Sequence, residues 1–149
     1  MKLKTNIRWL TILLGMAVVS SLYAEEKTKT ADIVTVDAVI AKDVQDRQPV
    51  GEASSFSSDT ETVVGWTLVK GAEEPIEITH VWSYKGEEMS AIPLNIRSSA
   101  FRTWSRKTLF GLTGTWTFEV KDPEGKVLAT QTFEVTESPA PTKSKATTK

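Results

Sequence analysis

Two groups of residues in this chain could do chemistry. The first centres on His80, the only histidine of the 149 residues. Paired with a hydroxyl such as Ser83 or Ser105 and an orienting acid, it could serve a small hydrolase or transferase as general base. Neither serine lies in a Gly-x-Ser-x-Gly elbow, and serines on strands are ordinarily ladder partners. A zinc site built on His80 would lack any second histidine or thiolate, an unusual ligand set, so no metal is expected. The plainer reading makes His80 a buried core histidine bonded to backbone or to a neighbouring hydroxyl. The second group is Arg102, Trp104 and Arg106, three residues at alternate positions. A strand carries such residues on one face, where an indole can stack on a sugar ring or an anionic partner while the guanidinium groups hydrogen-bond it. The alternative for that face is structural, with the arginine stems covering the indole in a ladder and no ligand involved. Arg97 and Lys107 stand close enough in sequence to enlarge the cationic patch.

Other chemistry is poorly represented. The chain has no cysteine, which excludes thiol catalysis, cysteine metal sites and disulfides. No glycine-rich phosphate loop occurs, and the acidic pairs Glu73-Glu74 and Glu87-Glu88 fall at expected turns, where solvated charge is the ordinary outcome. No cofactor is implied.

The elements that must position these residues are strands. Seven segments rich in Val, Ile, Thr, Trp and Phe are separated by turn residues: Ile33–Ile40, Thr62–Lys70, Ile76–Tyr84, Glu88–Ile96, Ala100–Lys107, Thr115–Lys121 and Val127–Val135. Lys85-Gly86 and Asp122-Pro123-Glu124-Gly125 suit hairpin turns. Residues 42–59 read as a long connection. No helical apolar repeat is sustained. Seven short antiparallel strands predict an all-β fold, a single immunoglobulin-like β-sandwich. Alternation places Ile76, Ile78, His80, Trp82 and Tyr84 on one core face, with Trp116, Phe118 and Val120 on a second. Val127, Ala129, Phe133 and Val135 make a third. Trp82, Trp116 and Phe118 are thus expected in the core.

The ends are of another kind. Lys2, Lys4 and Arg8 precede an apolar run from Trp9 to Val19, and Ser20–Ala24 follows, with Glu25 and Glu26 next. An apolar run this short falls below the roughly twenty residues of a membrane span, so residues 1–24 read as a cleavable signal peptide and predict export to the periplasm or the exterior. Leu22 is bulky for its place before the cut, so an uncleaved membrane anchor is the alternative. Residues 25–32 read as a flexible lead-in, 33–136 as the sandwich domain and 137–149, rich in Pro, Thr and Lys, as a disordered tail. Without Lys2, Lys4 and Arg8 the 18 Lys+Arg become 15 against 19 Asp+Glu, a net charge of −4. That acidic balance argues against nucleic acid as a partner.

The segments ITHVWSYKG, RTWSRKTL and GTWTFEVKDPEGKVL, with a closing TFEV, resemble a bacterial family of domains of unknown function, number 2914. DVQDRQPVG resembles the family's opening, and the likeness runs from about Val34 to Val135. It implies a compact β domain associated with the cell envelope and implies no catalytic residue. Residues and resemblance together predict a non-catalytic module binding an envelope protein or glycan through Arg102, Trp104 and Arg106.

Overall fold

The computed structural model describes residues 35–139. The expected signal peptide (1–24) and lead-in (25–32) lie outside the described residues, as does the expected tail (137–149) beyond residue 139. Among the described residues there is no helix, and ten strands follow in order: β1 (Thr35–Ala41), β2 (Asp43–Gln45), β3 (Gln48–Val50), β4 (Ser55–Ser57), β5 (Thr62–Lys70), β6 (Ile76–Tyr84), β7 (Glu87–Ile96), β8 (Ala100–Thr108), β9 (Gly114–Lys121) and β10 (Val127–Thr136). All seven expected strands are present, their described ends agreeing or differing by one residue, while Ile33 and Val34 of the first lie outside the described residues. The expectation of a bare connection over residues 42–59 is corrected, because β2, β3 and β4 all lie there. Each is only three residues long, too short for a period to show in sequence.

Two sheets form the sandwich, one in the order β1-β5-β8 and the other β4-β10-β9-β6-β7. This is the immunoglobulin arrangement, with strands A, B and E facing G, F, C and C′. Two departures matter. Among the described residues no D strand pairs beside β8, because β7 leads into it through Arg97–Ser99 alone. And β4 runs parallel to β10, so the sheet is mixed rather than wholly antiparallel. That parallel pair arises because the chain crosses from one sheet to the other after β1, with the β2–β3 hairpin lying at the crossing. The hairpin turns at Asp46-Arg47, where both residues take left-handed φ (49° and 62°). Lys85-Gly86 turns the β6–β7 hairpin the same way, as its sequence predicts.

The alternations hold for β6 and β9. Ile78, His80, Trp82, Trp116, Phe118 and Val120 are fully buried between the sheets. On β10 the assignment needs correction at one end: Val127 is 43% exposed, while Leu128 packs against the core. A register shift between Val127 and Ala129 inserts an extra residue and flips the faces there. Trp116 donates its Nε1–H to the carbonyl of Leu112, four residues upstream (3.2 Å). In immunoglobulin domains a tyrosine at the start of strand F ties the corner in this way. Here a tryptophan does so.

Candidate functional site

His80 sits at the centre of a polar network inside the core. Its Nδ1 lies 2.9 Å from Ser105 Oγ and its Nε2 lies 3.0 Å from Thr67 Oγ1. Ser105 Oγ also accepts the Nε1–H of Trp82 at 3.0 Å. Thr67 comes from β5, Ser105 from β8, and His80 and Trp82 from β6, so the network joins the two sheets. His80 and Thr67 have no exposure and Ser105 has 6%. Burial pushes the imidazole pKa down from 6.5 to about 3, which keeps it neutral. A neutral imidazole has one donor and one acceptor, and both ring nitrogens find a hydroxyl here. Ser83 lies on the opposite face of β6 and is not part of the network. Among the described residues no group of three or more His, Asp or Glu side chains is placed to hold a metal ion.

Arg102, Trp104 and Arg106 do share the outer face of β8. Directly opposite Trp104 on β5 is Trp66. Sequence reasoning passed over Trp66, although it alternates with Val64 and Leu68 on one strand. Trp66 is only 6% exposed because the β2–β3 hairpin roofs it, and its Nε1–H donates to the carbonyl of Arg47 (3.0 Å). The same hairpin supplies Asp43, whose carboxylate meets Arg106 Nη2 at 2.7 Å. Arg106 holds the Asp43 carboxyl below its ordinary pKa. Both partners are about half exposed, so water screens the bridge. Trp104 is half-buried. The Nε of Arg102 is buried with no hydrogen-bond partner, alone among buried side-chain polar atoms of the described residues.

Among the described residues no guanidinium is placed over the Trp104 ring. The cations placed over rings among the described residues are Lys85 over Tyr84 (5.1 Å) and Lys107 over Trp116 (6.0 Å), while Arg106 turns to Asp43. Lys107 also leaves the patch. It follows Arg106 by one residue, so it points to the inner side, where its Nζ bonds Ser90 Oγ at 3.2 Å and desolvation lowers its pKa. Arg97 is exposed in the β7–β8 connection, at the end of β8 away from Arg106. The patch that forms is Arg102, Trp104 and Arg106, bordered by Trp66 and Asp43.

Residues 75–135 match the family described as "Protein of unknown function (DUF2914)", which bears out the resemblance over β6 to β10. The more extended likeness from Val34 to Glu74 lies outside the matched span. No curated protein matches the chain. Among solved structures, the Se-Met-labelled β-glucosidase from Kluyveromyces marxianus is similar over 68% of this chain and 14% of that one, with 11% identity and a TM-score of 0.42. A likeness of that order carries no argument about function.

Proposed function

We propose that this protein is an exported, non-catalytic β-sandwich module that binds a protein or glycan of the bacterial cell envelope through the outer face of β8. The observation that carries this reading is Trp104, half-buried beside a roofed Trp66, with Arg102 Nε next in the row lacking an acceptor. Aromatic and arginine side chains are the residues that dominate binding surfaces. Titration of cell-wall glycan strands, and of envelope proteins recovered by crosslinking, against Trp104→Ala tests it. A binding face predicts a loss of at least about 1–2 kcal/mol in affinity with a small change in stability. Lost stability with unchanged affinity would discard it.

Export belongs to the same reading. Cleavage between Ala24 and Glu25 should appear as loss of the first segment in the intact mass of the protein recovered from its host's envelope. A chain still beginning at Met1 and extracted only by detergent would indicate an anchor.

One distance favours a second reading, a hydrolase or transferase: His80 Nδ1 and Ser105 Oγ are 2.9 Å apart. The pair is sealed from solvent, however, and Trp82 already occupies Ser105 Oγ. A fluorophosphonate probe that labelled Ser105 in the folded protein would revive the catalytic reading.

A further inference from the structure

The backbone of β8 offers something its side chains do not. Leu109 N donates to Glu61 O (2.9 Å) and Gly71 N to Ser99 O (2.8 Å), both in register with the β5–β8 ladder. Hydrogen-bonded pairs alternate along an antiparallel ladder, so these two bonds fix the direction of every peptide group between them. Phe101, Thr103, Ser105 and Lys107 turn their N–H and C=O toward β5. Arg102, Trp104 and Arg106 turn theirs outward, to the edge where the D strand of an immunoglobulin domain would pair.

The remaining edges are blunted. β7 carries Pro93 and a register shift that leaves Met89 as an extra residue. β1 is used by the crossing segment, since Ala53 N bonds Ile40 O. β4 has three residues. β8 runs nine residues in unbroken register, with no proline, glycine or bulge.

We propose that the edge of β8, which no other described strand pairs, takes up an extended acidic segment of a partner protein as an added strand. This rests on the binding reading above and names the partner's chemistry. Main-chain bonds to Arg102, Trp104 and Arg106 would supply the pairing. Acidic side chains four residues apart on the added strand would lie opposite Arg102 and Arg106. The same charges disfavour a second copy of this chain. Antiparallel pairing of Trp104 on Trp104 sets Arg102 against Arg106 twice.

The probe is the end-capped peptide Thr-Glu-Thr-Val-Thr-Glu-Thr, with its counterpart carrying glutamine for both glutamates, titrated by amide NMR into the full protein. Expected are shifts and slowed exchange at the amides of Arg102, Trp104 and Arg106, with the glutamine peptide at least about fivefold weaker. Two variants isolate the backbone. Arg102→Ala removes the side chain, and Arg102→Pro removes the outward N–H as well, which no ladder bond uses. The proline variant should bind at least about tenfold more weakly than the alanine variant. Arg106→Pro against Arg106→Ala repeats the comparison should either Arg102 variant fold poorly. Equal affinity of proline and alanine variants, shifts mapping away from β8, or no binding of the acidic peptide would overturn the proposal. A concentration-dependent dimer paired through β8 would overturn it in favour of a second copy. Failure here leaves the face reading standing, because that reading is judged by Trp104→Ala against glycan or crosslinked partner.

Discussion

The ring of Phe118 occupies the space that a β-carbon on Gly65 would need, with Phe118 Cζ 2.6 Å and Cδ2 2.8 Å from that position. Gly65 stands on the B-equivalent strand and Phe118 on the F-equivalent strand, with Trp82 of strand C tilted against the ring at 4.6 Å. Antibody domains place an inter-sheet disulfide between those strands and pack the strand C tryptophan on it. This cysteine-free core uses a phenyl ring lying on a glycine.

Gly65→Ala should therefore destabilise the domain. The ring has no free direction among buried neighbours, and overpacking of this kind costs about 1–3 kcal/mol. In a Phe118→Leu background the same change should cost less, since the two residues share one space. Denaturant melts of the four members of that cycle measure the coupling. Additive losses would show that the contact is not what constrains Gly65.

Acid should destabilise the fold through His80. The folded imidazole stays neutral down to a pKa of about 3, while the unfolded chain takes up a proton near 6.5. Between those values the unfolded state binds more protons, so stability is full above pH 6.5 and declines as pH falls toward 3. The slope is up to about 1.4 kcal/mol per pH unit. The imidazole C–H resonances should show no titration from pH 8 to 5. Titration near pH 6.5 in the folded protein would mean that the network is open to solvent.

Trp116 carries two separable contributions. Trp116→Ala should cost about 3–5 kcal/mol, the range for emptying a large buried site. Trp116→Phe keeps most of the ring volume and loses the bond to Leu112, so about 1 kcal/mol is expected for the bond, with a cavity contribution added. Chemical denaturation separates them. A loss below about 1 kcal/mol for the alanine variant would place the indole outside the core.

Phe110 should tolerate replacement with a gain. It is 70% exposed and holds φ at 53° in the turn that closes from Leu109 to Leu112. A left-handed conformation strains most residues by about 1–2 kcal/mol, and asparagine accepts it more readily. Phe110→Asn should raise the melting temperature. A marked drop would reveal packing by the ring that its exposure does not suggest.

What could be read from the chain followed from period two. Ile78, Trp82, Trp116 and Phe118 stand at alternate positions of long strands, and each is buried on the face that alternation assigns. Closeness in sequence does not bring Lys107 to the patch, because successive residues on a strand point to opposite faces. Val127 failed for the same kind of reason, since one extra residue in the ladder exchanges the faces. The roof over Trp66 was out of reach. A three-residue strand has no period, and nothing local in Asp43 or Arg47 says which distant side chain it will meet. The partners of His80 are partly legible, since a buried histidine calls for a hydroxyl and Ser105 is a candidate in the sequence. Thr67 is not, because pairing across sheets is not encoded in spacing along either strand.

The parallel alignment of β4 with β10 has a mechanical consequence. Glu134, Val135 and Thr136 lie beside Ser55, Phe56 and Ser57, far apart along the chain. When two parallel neighbours are drawn apart along the chain, the force acts across all their bonds at once rather than opening them singly from one end. Tension applied at Ser55 and Thr136 would load this short clasp in shear, so its bonds would have to fail together.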